Sequence, residues 1–221
     1  MKKHEILVTA AIGFLLSGSA AVAADINGFR SARFGATEKA VIEAAVTDLK
    51  IKSSDIQRSV DPATKVTALS AKLSSFAPLD LPATVAYVMG YKCNCLTRVV
   101  LSWEFPEKAT VEQRKTAMVG IAALVDRFTS DTWGKEETVT NRVTGEVKEG
   151  SSNIIVFFRG QNKNGSAVTL TGAPVKMEKT AKEEKKDNAL SANIDDLKAV
   201  SLIYEKSADN PDIFRIDVTG F

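Results

Sequence analysis

The sequence is poor in the residue types on which most catalytic and metal sites depend. Its 221 residues include one histidine, His4, and two cysteines, Cys93 and Cys95. Positive and negative charges nearly cancel, and the net charge of +2 does not indicate a nucleic-acid-binding protein. Apolar residues make up 44% of the chain and charged residues 25%, which are the proportions of a globular protein.

The chain has one long apolar run, and its position indicates export. The run covers residues 6–16, follows the basic residues Lys2 and Lys3, and precedes small residues at 17–24. This order of basic, apolar and small residues is that of a secretory signal peptide. A membrane-spanning helix needs about 20 apolar residues, and this run is shorter.

We therefore predict a signal peptide over residues 1–23, with cleavage after Ala23 and, as the second choice, after Ala24. The remaining 198 residues would form one domain over 24–221, located in the periplasm and without stable membrane insertion. His4 would leave with the leader, so the mature chain would have no histidine. A Ser-His-Asp triad, a Cys-His pair and a histidine metal ligand would then all be excluded.

The other motifs do not indicate an enzyme. The segment 160–165 contains Lys163 but matches neither a phosphate loop nor a dinucleotide-binding pattern. The acidic residues near Asp209 lack the spacing of a calcium loop. We expect a non-enzymatic chain with no cofactor, no metal site and no nucleic-acid partner.

The hydrophobic pattern predicts an α+β fold, with a mostly antiparallel sheet built from hairpins and two main helices packed on it. One helix should begin after Thr37, and the other after Thr110, which has capping-box spacing to Gln113. Apolar residues recur at helical spacing after both caps, namely Val41, Ala44, Ala45 and Leu49, then Ala117, Met118, Ile121, Leu124, Val125 and Phe128.

Alternating apolar residues predict the strands. The clearest pair is 84–91 and 96–105, joined by a four-residue loop at 92–95. The other predicted strands or extended segments are 26–34, 51–80, 138–147, 153–161, 168–175, 198–205 and 213–218.

The connections are predicted from turn residues and charge. Pro78 and Pro82 indicate a loop, and Asn164 with Gly165 indicates a hairpin turn. The charged segment at about 178–190 is expected to be an exposed loop.

Cys93 and Cys95 are the candidate reactive residues. In an oxidising compartment two cysteines usually form one disulfide. One interpretation is a structural clip at a hairpin tip. Another is a labile redox bond, because a CxC bridge closes a tight ring whose strain would raise its reduction potential. A further alternative is copper(I) bound by the two thiolates.

A candidate contact patch precedes the first helix. It combines the aromatic residues Phe29 and Phe34 with the basic residues Arg30 and Arg33. The alternative interpretation places both phenylalanines in the core and leaves the two arginines solvated.

Two segments resemble an uncharacterised family of exported proteobacterial proteins. Residues 26–37 have the pattern GFRSA-x-FG-x-T/S before a helix that contains Val41, and residues 210–215 have the pattern PD-x-F-R. The FG-x-T-x-x-x-V part is also similar, more loosely, to SmpA/BamE-type envelope domains. Those domains assist the assembly of outer-membrane proteins through contacts, so the resemblance implies a partner protein in the envelope.

We therefore expect an exported accessory protein that binds a partner in the cell envelope. One alternative is a thiol-disulfide or metal-linked redox role at Cys93 and Cys95. The other is binding of a small ligand on the sheet face beneath the predicted helix at 118–128.

Overall fold

The computed structural model describes residues 25–131, 133, 154–173 and 197–215, and the backbone of 135–137, 142–143, 177–178 and 191–192. The predicted signal peptide, nearly all of the predicted strand at 138–147 and nearly all of the charged segment at 178–190 lie outside these residues. None of the helices in the described part is both long and apolar enough to cross a membrane.

The described elements are short runs of strands separated by two α-helices. In chain order they are β1 (Gly28–Phe29), β2 (Ala32–Arg33), α1 (Glu38–Leu49), a 3-10 turn (Ser53–Asp55), β3 (Gln57–Val60), β4 (Thr67–Phe76), β5 (Leu81–Met89), β6 (Leu96–Glu104), α2 (Val111–Thr129), β7 (Lys135–Glu137), β8 (Arg142–Val143), β9 (Ile155–Gln161), β10 (Ala167–Ala173), β11 (Met177–Glu178), β12 (Ser191–Ala192) and β13 (Ala199–Glu205).

The predicted α+β fold is confirmed. Within the described residues, the main sheet runs in the order β3-β4-β5-β6-β13-β10-β9-β7, with β8 also paired to β9. All neighbouring strands in it are antiparallel. Strand β13 lies between β6 and β10, so the last described strand completes the centre of the sheet.

Both predicted helix starts are confirmed by their caps. The Thr37 hydroxyl accepts a hydrogen bond from the backbone N–H of Ala40 (3.4 Å). Thr110 and Gln113 form the predicted capping box, with bonds of 3.2 Å and 2.9 Å. These side chains satisfy N–H groups that the first helical turn leaves without a partner.

One face of the sheet forms the core with the helices. Val41 and Ala45 of α1 are buried, as are Ala117, Ile121 and Phe128 of α2. The alternation predicted for β6 is confirmed, because its core face carries the buried residues Val99, Leu101 and Trp103. The Trp103 indole N–H donates to the carbonyl of Phe76 (2.9 Å), so its polar atom is also satisfied.

The opposite face of the sheet carries small, hydroxyl-bearing and β-branched apolar side chains. Ser70, Ala86, Val100, Ile203 and Thr169 are in register across five strands, and each is half-buried. At one end of this face Arg98 and Glu205 are paired across β6 and β13.

The prediction of a loop at Pro82 is wrong. Pro82 is the second residue of β5, at the point where the β4–β5 register shifts between Leu73 and Phe76. Proline lacks an N–H and is tolerated in a sheet at such irregularities. The strand therefore covers Leu81–Met89 rather than 84–91, and the following loop has six residues instead of four.

Two other predicted strands also differ from the structure. Residues 213–215 form no strand; Phe214 instead donates its N–H to the carbonyl of Thr64 (2.8 Å). The predicted extended arm at 26–34 is a tight hairpin of β1 and β2, which turns at Arg30 with φ of 52°.

Candidate functional site

The loop at residues 90–95, between β5 and β6, holds both cysteines. The structure places the sulfur atoms of Cys93 and Cys95 at bonding distance, as a disulfide. The backbone N–H of Gly90 donates to the carbonyl of Cys95 (2.8 Å), and that of Asn94 donates to the carbonyl of Gly90 (3.1 Å). The loop is therefore closed by one covalent bond and two hydrogen bonds, with Cys93 exposed at its tip.

A distant segment of the chain braces this loop. The carboxylate of Asp212 accepts from the backbone N–H of Lys92 (3.0 Å) through Oδ1 and from that of Cys93 (2.9 Å) through Oδ2. The Asp212 carbonyl also accepts from the N–H of Tyr91 (2.9 Å). A Cβ on Gly90 would lie 2.5 Å from Asp212 Oδ2, so this close approach needs glycine.

A groove runs between the loop and the 211–215 segment. Its volume is about 700 Å³, and we call it the loop groove; its walls include Tyr91, Lys92, Ile213, Phe214 and Arg215. The Tyr91 and Phe214 rings meet edge to face, with centroids 5.4 Å apart and planes at 71°. This geometry is favourable for an aromatic pair and orients both rings.

The loop groove combines aromatic and apolar side chains with a basic rim. Lys92 and Arg215 are both exposed. Among the described residues that line the groove, Asp212 is the one carboxylate, and it is bonded to the loop backbone through both oxygens. Two cations against one carboxylate leave the described lining with a net positive charge.

A smaller cavity lies on the other side of the braced loop. It has a volume of about 220 Å³ and is lined by Cys93, Arg98, Glu205 and Lys206, among others. Arg98 Nε lies 2.7 Å from Glu205 Oε1, so these two charges satisfy each other. Both are partly exposed, and such an ion pair contributes little to stability.

The predicted contact patch is divided between two places. The Arg30 guanidinium lies over the rings of Phe29 (5.4 Å) and Phe76 (4.8 Å) and donates to the carbonyl of Asp48 (2.6 Å). Phe29 packs against the core. Arg33 and Phe34 instead line a groove beside the β9–β10 turn.

Comparison with protein-family models, with curated proteins and with solved structures gave no match.

The groups of the loop itself define its chemistry. In the part of the chain that the structure describes, no group of three or more His, Cys, Asp or Glu residues is arranged to hold a metal ion. The Cys95 N–H donates to Cys93 Sγ (3.2 Å), an ordinary contact within a tight turn. The arrangement offers a shaped, rigid surface with basic and aromatic groups.

Asp212, Tyr91 and Phe214 are site residues that were not predicted from the sequence. The signal was present in part, since Asp212, Phe214 and Arg215 belong to the PD-x-F-R segment that was already noted in the sequence. Their connection to the cysteine loop was not visible, because 119 residues separate Cys93 from Asp212.

Proposed function

We propose that this chain is an exported protein of the cell envelope that acts without catalysis, by binding a partner protein at the loop groove. The observation that carries the proposal is the brace from Asp212 to the loop. Three hydrogen bonds and a disulfide fix a surface loop that contributes no buried side chain between Tyr91 and Cys95. A loop held in one conformation binds with a smaller loss of conformational entropy.

The groups in the loop groove define the chemistry of the partner. Tyr91 and Phe214 offer aromatic surface, and tyrosine and arginine are the residue types that most often dominate binding energy at protein interfaces. Lys92 and Arg215 place two positive charges at the rim. The partner we propose is an extended acidic segment of another protein that carries at least one large apolar side chain.

Binding of synthetic peptides tests this proposal directly. Fluorescence anisotropy would compare a labelled Asp- and Glu-rich peptide containing Leu and Phe with a second peptide in which Lys replaces every acidic residue. We expect the acidic peptide to bind and the basic one not to bind. Equal binding of both, or of neither, would overturn the proposed partner chemistry.

A pair of charge-reversal variants locates the site. Lys92→Glu combined with Arg215→Glu should weaken acidic-peptide binding by about tenfold or more, since it removes both rim cations. The matched control, Lys108→Glu with Lys115→Glu, makes the same change of net charge at exposed positions outside the groove. An equal loss in both double variants would mean that net charge, rather than the loop groove, attracts the peptide.

Export is tested separately from binding. Expression of the full chain, followed by osmotic release of the periplasm and intact-mass measurement, should give a protein that begins at Ala24 or Asp25. A protein that keeps residues 1–23 and stays with the cytoplasmic fraction would contradict export without bearing on the peptide measurements.

A further inference from the structure

Strand β3 forms one edge of the main sheet, and this edge is open. Within the described residues, β3 pairs with β4 and with no other strand. Its four residues, Gln57–Val60, are all exposed, and their register with β4 has no shift. The strand has no lysine, proline or bulge, which are features that often protect sheet edges, and its one charge, on Arg58, is paired with Glu38 (3.2 Å). Such an edge is a template for pairing with another chain.

The hydrogen bonds of the adjoining turn show which backbone groups of β3 face this open edge. The Asp61 N–H donates to the carbonyl of Val66 (3.0 Å), and these two residues continue the β3–β4 register. In an antiparallel ladder, residues that exchange hydrogen bonds alternate with residues that do not. Ser59 therefore directs its N–H and C=O toward β4, whereas Arg58 and Val60 direct theirs toward the open edge. Within the described residues, these four outward groups have no hydrogen-bond partner.

The open edge ends beside the loop groove. Thr67, at the start of β4, lies opposite Met89, at the end of β5, so the β3–β4 turn and the braced loop are at the same end of the sheet. The Phe214 N–H donates to the carbonyl of Thr64 in that turn (2.8 Å), and Phe214 is also a wall of the loop groove. An extended segment that leaves the groove across this turn therefore reaches β3.

We propose that the partner segment bound at the loop groove continues along the open edge of β3 as an added β-strand. The inference rests on the proposed function, because it gives the same partner a second contact. Strand addition pairs backbone groups whatever the sequence of the added strand, and side-chain sites such as the loop groove then supply selectivity. The side chain of Val60 is 50% exposed and adds an apolar contact at the end of the edge nearest the turn.

A second copy of this chain is the less favourable occupant of the edge. Pairing of β3 with another β3 would join two strands of four residues, and a short two-stranded pair has little stability by itself. The sequence of β3, QRSV, also brings no acidic residue to the cations of the loop groove. The partner segment gains binding energy from the groove and the edge together.

Backbone N-methylation of the acidic peptide tests for the added strand. The methyl group removes one N–H donor and leaves the charge unchanged. Since alternate N–H groups of a strand face its neighbour, two peptides are compared that are methylated at every other flanking residue, in opposite phases. We expect one phase to weaken binding by about tenfold or more and the other to stay within about threefold of the parent peptide.

The outcomes of this comparison distinguish the added strand from binding at the groove. Equal affinities of the two methylated peptides would overturn the added strand, while binding of the parent peptide would leave the proposed function in place. No binding of the parent peptide would overturn both.

A proline variant is the corresponding test on the protein. Val60→Pro removes an N–H that faces the open edge and none that faces β4, and proline is tolerated in edge strands at such positions. It should weaken binding of the acidic peptide several-fold, with the fold verified by circular dichroism. Val60→Thr is the matched control, because it keeps the N–H and the β-branched shape, and it should bind like the parent. A folded Val60→Pro protein with parental affinity would contradict the added strand.

Hydrogen exchange gives a readout that needs no variant. On binding of the acidic peptide, the amides of Arg58 and Val60 should exchange more slowly, whereas that of Ser59, already bonded to β4, should change little. Peptide binding that protects neither outward amide would overturn the inference. A peptide-free dimer that Val60→Pro dissociates, with peptide affinity unchanged, would assign the edge to a second copy and would also overturn it.

Discussion

The carboxylate of Asp212 is hydrogen-bonded to the backbone N–H of Cys93 at 2.9 Å, across 119 residues of sequence. The same carboxylate bonds the N–H of Lys92, so one side chain satisfies two consecutive amides of the loop. Two amides that converge on one carboxylate form charge-assisted bonds, which are stronger than bonds between neutral groups. The conformation of the exposed loop therefore depends on the segment that follows the last central strand.

Asp212→Ala should lower the free energy of unfolding by about 1.5–3 kcal/mol, because the two loop amides lose a charged acceptor. Urea denaturation would measure the change. Asp209→Ala is the matched control, since its exposed carboxylate accepts one side-chain bond, from Gln161 (2.8 Å). We expect a smaller effect there. Hydrogen exchange adds a local readout: the amides of Lys92 and Cys93 should exchange faster in the Asp212 variant, and unchanged rates would contradict the brace.

Replacing both cysteines should have a modest effect, because Asp212 still holds the loop. Cys93→Ser with Cys95→Ser opens a very short ring, for which the loop-entropy treatment gives less than the roughly 3 kcal/mol of a 15-residue loop. Acidic-peptide binding should persist within about threefold, since most of the pre-organisation remains. If the biological activity disappears while the fold and peptide binding persist, the redox alternative would be favoured over the binding proposal.

Gly120→Ala in α2 has two opposite effects on stability, one through helix propensity and one through packing. Alanine is the better helix former by about 1 kcal/mol. A Cβ at this buried position would, however, collide with the backbone carbonyl of Pro78, which has little freedom to move aside. We expect a net loss of about 1–3 kcal/mol in the free energy of unfolding, as for other overpacked sites.

The control for that substitution is the preceding residue of the helix. Val119 is 64% exposed, and Val119→Ala should change stability by less than about 0.5 kcal/mol. Denaturation of the two variants under the same conditions isolates the contact with Pro78. A Gly120→Ala protein as stable as the parent would mean that the segment carrying Pro78 can shift away from the helix.

Local signals in the sequence were sufficient for the helices and for β6. The Thr110 and Gln113 capping box and the alternation of Val99, Leu101 and Trp103 act over a few residues, so their pattern is readable without the fold. The position of Pro82 inside β5 could not be predicted from such local patterns, because it depends on the register shift between β4 and β5.

The site was predicted only in part for the same physical reason. Cys93 and Cys95 are adjacent enough in sequence for their pairing to be considered directly. The contribution of Asp212 and Phe214 requires β13 to lie beside β6, which brings the following segment back across the loop. No local pattern in a single sequence predicts such a long-range contact.

Tyr87, which is buried, and Tyr204, which is partly buried, make stability depend on pH in the alkaline range. Burial raises the pKa of Tyr87 and that of Tyr204 from the usual 10 to about 12. Tyr87 is 1% exposed, and its hydroxyl has no hydrogen-bond partner within the described residues. An ionised phenol would be still more costly at that position, because the charge would be buried without compensation.

The sign of this effect follows from proton binding in the two states. Between pH 10 and about 12 the unfolded chain loses the phenolic protons that the folded chain retains. The free energy of unfolding must therefore fall as the pH rises through this window, and the full contribution is present below pH 10. Urea denaturation at a series of alkaline pH values, followed with tyrosinate absorbance, would measure the slope.

Phenylalanine variants test whether the two phenol groups cause the fall in the free energy of unfolding with pH. Tyr87→Phe and Tyr204→Phe should each make the alkaline loss of stability shallower, and the double variant should make it shallower than either alone. At neutral pH Tyr87→Phe should cost nothing or be slightly stabilising, because it removes a buried hydroxyl without leaving a former partner unpaired. The other titratable side chains are common to all four proteins, so their contributions cancel in the comparison. An unchanged slope in the double variant would show that neither phenol is withheld from ionisation by the fold.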